Sequence, residues 1–346
     1  MIKTVIVMFC LLLLPVSVSA EENTLPGIDD IGIDRAQVSS YDFLEEFWGL
    51  IENTMIESRP DLKEAAQVSS SVLAIGMVLA LLTTLWKGPA VSVDIATTAV
   101  ITAILFQGTN SMLVLAKDTV LQMSQYGKLL LPVMTGALAA QGGISSSAGL
   151  YMGTTLFDAL LGGLLTNLYV PLVYVYLALA VARSAVGMDI LKKLRDLVKA
   201  FLTWSLKIIL TVYTTYMSIT GVVSGTTDAA ALKATKVTIS TMVPVIGGIL
   251  SDASEAVLVG AGVMKNAAGI YGLLAIIGMV LGPFLKIGIH FLLLKLTAAL
   301  CGVLGTQTAA SLTEDYSSSM GMMLAITGAM CLLLLISIVC FMKGVG

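Results

Sequence analysis

From Ala65 onward the chain returns repeatedly to long apolar runs with few charges, up to the last one before Lys343. Runs of about 18 or more apolar residues have hydrocarbon as their natural solvent. A water-soluble domain of this length needs charged residues to cover its outside, yet the chain is 57% hydrophobic and 12% charged. The reading is all-α: a polytopic helical membrane protein with a small acidic extracytoplasmic N-terminal region.

Residues 1–20 combine Lys3, an apolar stretch from Val5 to Leu14, Pro15, and Val18-Ser19-Ala20 before Glu21. That is the pattern of a cleavable signal peptide, with an uncleaved first anchor as the alternative. Either one sends the following segment out of the cytoplasm. Residues 21–64 hold twelve Asp/Glu against three Lys/Arg, whereas the mature chain beyond holds ten against fifteen. Basic residues are retained on the cytoplasmic side, so the asymmetry agrees with an outside N-terminus. It argues against nucleic-acid binding, because phosphate is repelled. After a leader containing Pro26, Gly27 and Gly32, the residues Leu44, Phe47, Trp48, Ile51 and Met55 share one helical face, which predicts an amphipathic helix over 40–58 ending near Pro60. Such a face suits a partner, a membrane surface or the protein's own loops.

Residues 65–346 form the membrane domain. The first spans are expected at 66–86 and 91–116, joined through Lys87-Gly88-Pro89, with Asp94 near a span end. The densest basic cluster, Lys192, Lys193, Arg195 and Lys199, belongs in the cytoplasm. Its apolar companions Ile190, Leu191, Leu194, Leu197, Val198 and Phe201 recur at helical spacing and predict an interfacial helix. To reach it, the chain needs an odd number of crossings between Gly127 and Val186. Three fit, near 128–146, 148–166 and 168–186; one span with re-entrant pieces is the alternative.

An internal echo appears at an offset of 112 residues. Leu131-Pro132-Val133 matches Val243-Pro244-Val245, Pro171-Leu172 matches Pro283-Phe284, and Arg183 matches Lys295. This suggests a parallel repeat with units at about 91–202 and 203–314. Pro132, Pro171, Pro244 and Pro283 would then break helices at corresponding positions and line a polar path, or serve packing kinks alone. Gly149 with Gly153, and Gly278 with Gly282, have the GxxxG spacing that permits close helix approach.

Few ionisable groups fall at membrane depth. Lys286 and His290 share a helical face and Lys295 points elsewhere, with Asp158, Asp228, Asp252 and Glu255 as counter-charges. A proton or ion relay is one reading; snorkelling lysines and a hydrogen-bonded core histidine are the other. Cys301, Cys331 and Cys340 lie unpaired in apolar stretches and read as buried thiols. With one histidine, no phosphate loop and no HExxH, the sequence offers no catalytic constellation and calls for no cofactor or metal.

The stretch from Gly225 to Lys236, then Met242-Val243-Pro244-Val245-Ile246-Gly247-Gly248, Ser251-Asp252-Ala253-Ser254-Glu255-Ala256 and Lys265-Asn266-Ala267-Ala268-Gly269-Ile270, resembles the stage III sporulation protein AE family. The likeness extends over about 66–346, while the acidic segment is shorter than in that family. The resemblance implies a non-enzymatic component of the transenvelope channel linking mother cell and forespore, needed for forespore development. It implies a place in the mother-cell-derived outer forespore membrane. Its implied partners are the lipid bilayer, a secretion-type cytoplasmic ATPase, other proteins of the same sporulation operon, and a forespore membrane protein reaching across the intermembrane space. The ATPase or its adaptor could dock on the cluster at Lys192, Lys193, Arg195 and Lys199, unless that cluster only orients the chain. Two roles remain open: a permease-like channel component, or a non-conducting scaffold for the other proteins.

Overall fold

The computed structural model describes the backbone of residues 40–85, 90–242 and 247–343, with side chains from 47 to 220 and from 265 to 342 apart from a few positions near 83–91 and at 166. The signal segment, the leader, the Lys87 connection and Pro244 lie outside the described residues, as do the side chains of Asp228, Asp252 and Glu255. The described elements are helices: α1 (Ser40–Glu57), α2 (Arg59–Leu85), α3 (Ala90–Ala140), α4 (Ile144–Leu164), α5 (Val170–Val186), α6 (Asp189–Met242), α7 (Gly247–Val303) and α8 (Gln307–Lys343), with a π turn over Leu165–Tyr169 joining α4 to α5. Hydrocarbon leaves no solvent partner for backbone groups, and a helix satisfies them internally. Six helical stretches are long and apolar enough to cross a membrane: Arg59–Leu82, Ser92–Ala140, Ile144–Val186, Asp189–Thr220, Lys265–Val303 and Gln307–Met342.

The helix count between Gly127 and Val186 differs from the three short crossings expected. The runs 91–116 and 128–146 belong largely to one helix, α3, and the runs 148–166 and 168–186 form one continuous stretch. The polar interval around Lys117 and Asp118 contains no proline, and its Lys, Leu, Gln and Met residues are good helix formers, so polarity alone does not break the helix. The real turn comes at residues 141–143. Gly142 takes φ +92° there, and the Gly143 N–H bonds Leu138 O at 3.1 Å. Gly305 repeats the device before α8, with φ +81° and a bond from Thr306 N–H to Cys301 O at 3.2 Å. Both use the left-handed glycine that closes a helix end with a six-residue loop. At the third site Pro171, lacking an N–H, follows the π turn: the Val170 N–H reaches back five residues to Leu165 O. The widened turn accommodates a proline ring that an α-helix would push against the carbonyl four residues earlier.

The 112-residue echo is not carried by the turns. Shifted by that offset, 141–143 falls on 253–255 and 187–188 on 299–300, both inside α7.

The compact helical unit takes in everything from Tyr41. The expected amphipathic helix is present as α1, but its buried face is not the expected one. Phe47 is buried and Leu50, Ile51 and Thr54 are partly buried, whereas Trp48 and Met55 are each 63% exposed. The cause is α7: a Cβ added at Gly278 or Gly282 would meet Leu50 or Thr54 at 3.9 Å, so the glycine ridge receives that side of α1. The other GxxxG pair works harder. A Cβ at Gly149 would lie 2.7 Å from Thr220, and one at Gly153 only 2.1 Å from the Tyr216 ring of α6. Tyr216 also donates its hydroxyl to Gly149 O at 3.1 Å. Small residues at such contacts let helices approach where no hydrophobic force drives them together.

Gly153→Leu should therefore separate α4 from α6 and destabilise the protein by about 1–3 kcal/mol. Gly162→Ala, where nothing lies within 4 Å of the added Cβ, should leave stability unchanged or slightly raised. Thermal unfolding of both variants in detergent checks the contrast, and equal melting temperatures would refute the packing account.

Candidate functional site

α8 is both the most apolar candidate span and the most enclosed, with 67% of its window buried against 17% for Asp189–Thr220. Yet it carries Thr313, Asp315, Ser317, Ser318, Ser319, Thr327 and Ser337 into the interior. Buried polar groups are expensive unless hydrogen-bonded, so their partners define the site.

The central cluster joins three helices. Arg195 of α6 donates through Nη1 to Asp315 Oδ2 at 2.6 Å, and Tyr176 of α5 donates to Asp315 Oδ1 at 2.9 Å. The Arg195 and Asp315 side chains retain only 11% and 6% of their exposure. Arg195 also grips Asp196 through Nη2 at 2.7 Å and Nε at 3.1 Å. One turn on, Lys199 Nζ donates to Ser318 at 2.9 Å. A second cluster lies further along α8. Ser337 exchanges hydrogen bonds of 2.5 Å with both Thr154 of α4 and Tyr213 of α6, and Tyr213 donates to Leu333 O at 2.8 Å. Phe157 packs edge-on against Tyr213.

The cluster expected at Lys192, Lys193, Arg195 and Lys199 is thus divided. Lys192, Lys193 and Lys199 are exposed, but Arg195 points inward and is not available for docking. Of the expected apolar stripe, Ile190, Leu194, Leu197 and Phe201 face out and Leu191 and Val198 are partly buried, while Leu202 and Leu206 face in beside Arg195. The ion pair with Asp315 sets that rotation, and an outward apolar stripe is tolerated where lipid surrounds the protein.

The four candidate intramembrane groups do not converge. Lys286 pairs with Asp61 of α2 at 2.8 Å, and His290 Nδ1 sits 3.0 Å from Lys286 O of its own helix. Lys295 pairs with Glu314 at 2.7 Å on the surface and lies 5.8 Å from the centre of the Phe291 ring. Asp158 is 3% exposed and accepts from Ser124 at 2.7 Å, while its Oδ1 has no hydrogen-bond partner. Among the described residues the counter-charges are Asp61 and Glu314; Asp228, Asp252 and Glu255 lie outside them. Of the described prolines, Pro132, inside α3, and Pro171 are exposed, and Pro283, inside α7, is half-buried. Asp315 itself was missed. Its signal was its place just before the last apolar run, on the same helix as five serines and threonines within four residues.

Asp315→Asn leaves the buried Arg195 with only the half-exposed Asp196 as counter-charge and should cost about 3 kcal/mol, whereas replacing the pair together, as R195M/D315L, should recover most of that loss. Unfolding of the two variants in detergent decides it; equal losses would mean that the pair does not tie α6 to α8.

The profile of the stage III sporulation protein AE family matches residues 41–344. A stage III sporulation protein AE of Bacillus subtilis (strain 168) is 25% identical over 190 residues, which is 55% of this chain and 48% of that protein, so the chain spans about half the length of the curated relative it matches. No solved structure matches. With a profile that begins at the first residues of α1 and ends at the last residues of α8, this multi-pass helical chain belongs to the stage III sporulation protein AE family.

Proposed function

We propose that the chain is a permease-like component of a channel between mother cell and forespore, seated in the mother-cell-derived outer forespore membrane with its N-terminal segment extracytoplasmic. A secretion-type cytoplasmic ATPase, proteins of the same operon and a forespore membrane protein are its proposed neighbours. The observation that supports conduction is the polar content of α8 and of the helices around it. Ionisable residues buried in membrane helices are by default the mark of a functional pathway. Beside the Asp315 cluster, Thr98 and Thr109 of α3, Ser184 of α5 and Thr313 of α8 are buried hydroxyls with no hydrogen-bond partner. Groups of this kind are suited to water.

The scaffold reading is favoured by a different observation, the tightness of the glycine contacts between α4 and α6. Accessibility separates the two. Single cysteines at Thr98, Thr109, Ser184 and Thr313, in a chain whose native cysteines are alanine, should react with a membrane-impermeant thiol reagent in sporulating cells. A cysteine at the buried Ile101 should not. Protection at all five positions would leave the scaffold as the function.

A further inference from the structure

We propose that the outward face of α6 between Asp189 and Ile208 binds an anionic phospholipid, its headgroup phosphate between Lys199 and Lys207 and an acyl chain along the neighbouring apolar stripe. The face has a concave and a flat part. The concave part is a groove of about 400 Å³ lined by Asp196, Lys199, Ala200, Thr203, Trp204 and Lys207, all from α6. The small side chains of Ala200 and Thr203 leave room between two lysines set two turns apart, about 12 Å along the axis. Flexible ammonium stems can meet a shared anion across that distance.

Charge complementarity selects the headgroup. The one carboxylate in the groove, Asp196, is already engaged by Arg195 at 2.7 Å, so the lysines set the sign of the surface. Lys199 is held by Ser318 at 2.9 Å and is therefore positioned before a ligand arrives. Exposed Lys192 and Lys193 extend the basic character toward the helix start.

The flat part selects a lipid over a free anion. Ile190, Leu194, Leu197, Phe201, Trp204 and Ile208 recur at alternating steps of four and three residues, and all are exposed. That spacing draws one stripe along the helix, and Trp204 borders both stripe and groove. Basic residues beside an apolar face, with a tryptophan at the border, are the chemistry of an interface with acidic lipid. The inference is independent of whether the bundle conducts.

The test uses the full chain with Trp204 as its only tryptophan, W48F/W86F, reconstituted in phosphatidylcholine vesicles. Brominated phosphatidylglycerol should quench Trp204 at a several-fold lower mole fraction than brominated phosphatidylcholine does. Lys207→Gln should lower that preference about twofold and K199Q/K207Q should abolish it, whereas K199R/K207R should retain it. Lys207 is exposed, so its variant keeps the fold, and the arginine pair controls for the Ser318 contact. Equal quenching by the two lipids overturns the proposal, as does a preference that survives K199Q/K207Q. Reversal of the quenching by soluble glycerol phosphate would assign the groove to a free anion instead. Equal quenching with a protein that co-purifies with the native chain but not with Lys207→Gln would assign the face to a protein partner.

Discussion

Within hydrocarbon a polar group finds its partner on its own helix or on a neighbouring one, and the bonds of the second kind organise the bundle around α8. Polar residues along α8 meet its neighbours in turn. Thr308 donates to Asp94 of α3 at 2.5 Å, and Ser317 donates to Phe291 O of α7 at 3.0 Å. Asp315 holds α5 and α6, and Ser337 holds α4 and α6. Hydrophobicity does not distinguish one helix partner from another when the surrounding lipid is equally apolar. A polar residue does, because a wrong neighbour leaves it unsatisfied. The contacts also fix direction: 94 with 308 and 127 with 334 run α3 alongside α8 in the same sense, as do 195 with 315 and 213 with 333 for α6.

Lengths then separate what lies in lipid from what does not. α3 has 51 residues, α6 has 54 and α7 has 57. At 1.5 Å per residue these are roughly 75–85 Å long, against about 30 Å of hydrocarbon, and a tilt of about 40° cannot absorb the difference. Part of each helix must therefore stand in water or at the interface. The ion pairs show where the charge collects, since Asp61–Lys286, Lys295–Glu314 and Arg195–Asp315 are joined through neighbouring turns of α7 and α8. Other charged groups lie away from this level, among them the buried Asp158 of α4 and Lys265 of α7.

Much of this was legible in the sequence, and the failures have physical causes. Apolar length announced membrane helices, helical spacing found α1, and the GxxxG pairs marked the close contacts with α1 and α6. The turns were misplaced because polarity was taken as a break around residue 117, where the backbone had no reason to bend, while Gly142 did the turning. The inward face of α6 was not legible, because in lipid an apolar stripe does not identify the buried side. There the informative residue is the charged one: Arg195 faces inward toward a carboxylate 120 residues away, and local periodicity carries no trace of that distance. The same limit hid Asp61 and Glu314 as partners of Lys286 and Lys295.

On the conducting reading, the distribution of polarity along α3 and α8 suggests where the resistance lies. The unpaired hydroxyls of Thr98, Thr109 and Thr313 sit within a few turns of the Asp94–Thr308 contact. Beyond them the buried residues include Met112, Met123 and Met134 on α3 and Met320, Met323 and Met330 on α8, set among aliphatic side chains and the hydroxyls of Ser124, Thr327 and Ser337. Methionine has three rotatable bonds and no charged group, so it can fill a gap at rest and yield to a passing solute without backbone movement. A polar entrance backed by such residues places the barrier in side chains. The Arg195–Asp315 tie can then remain intact whether the path is open or closed, and the helix framework need not move to let a solute through.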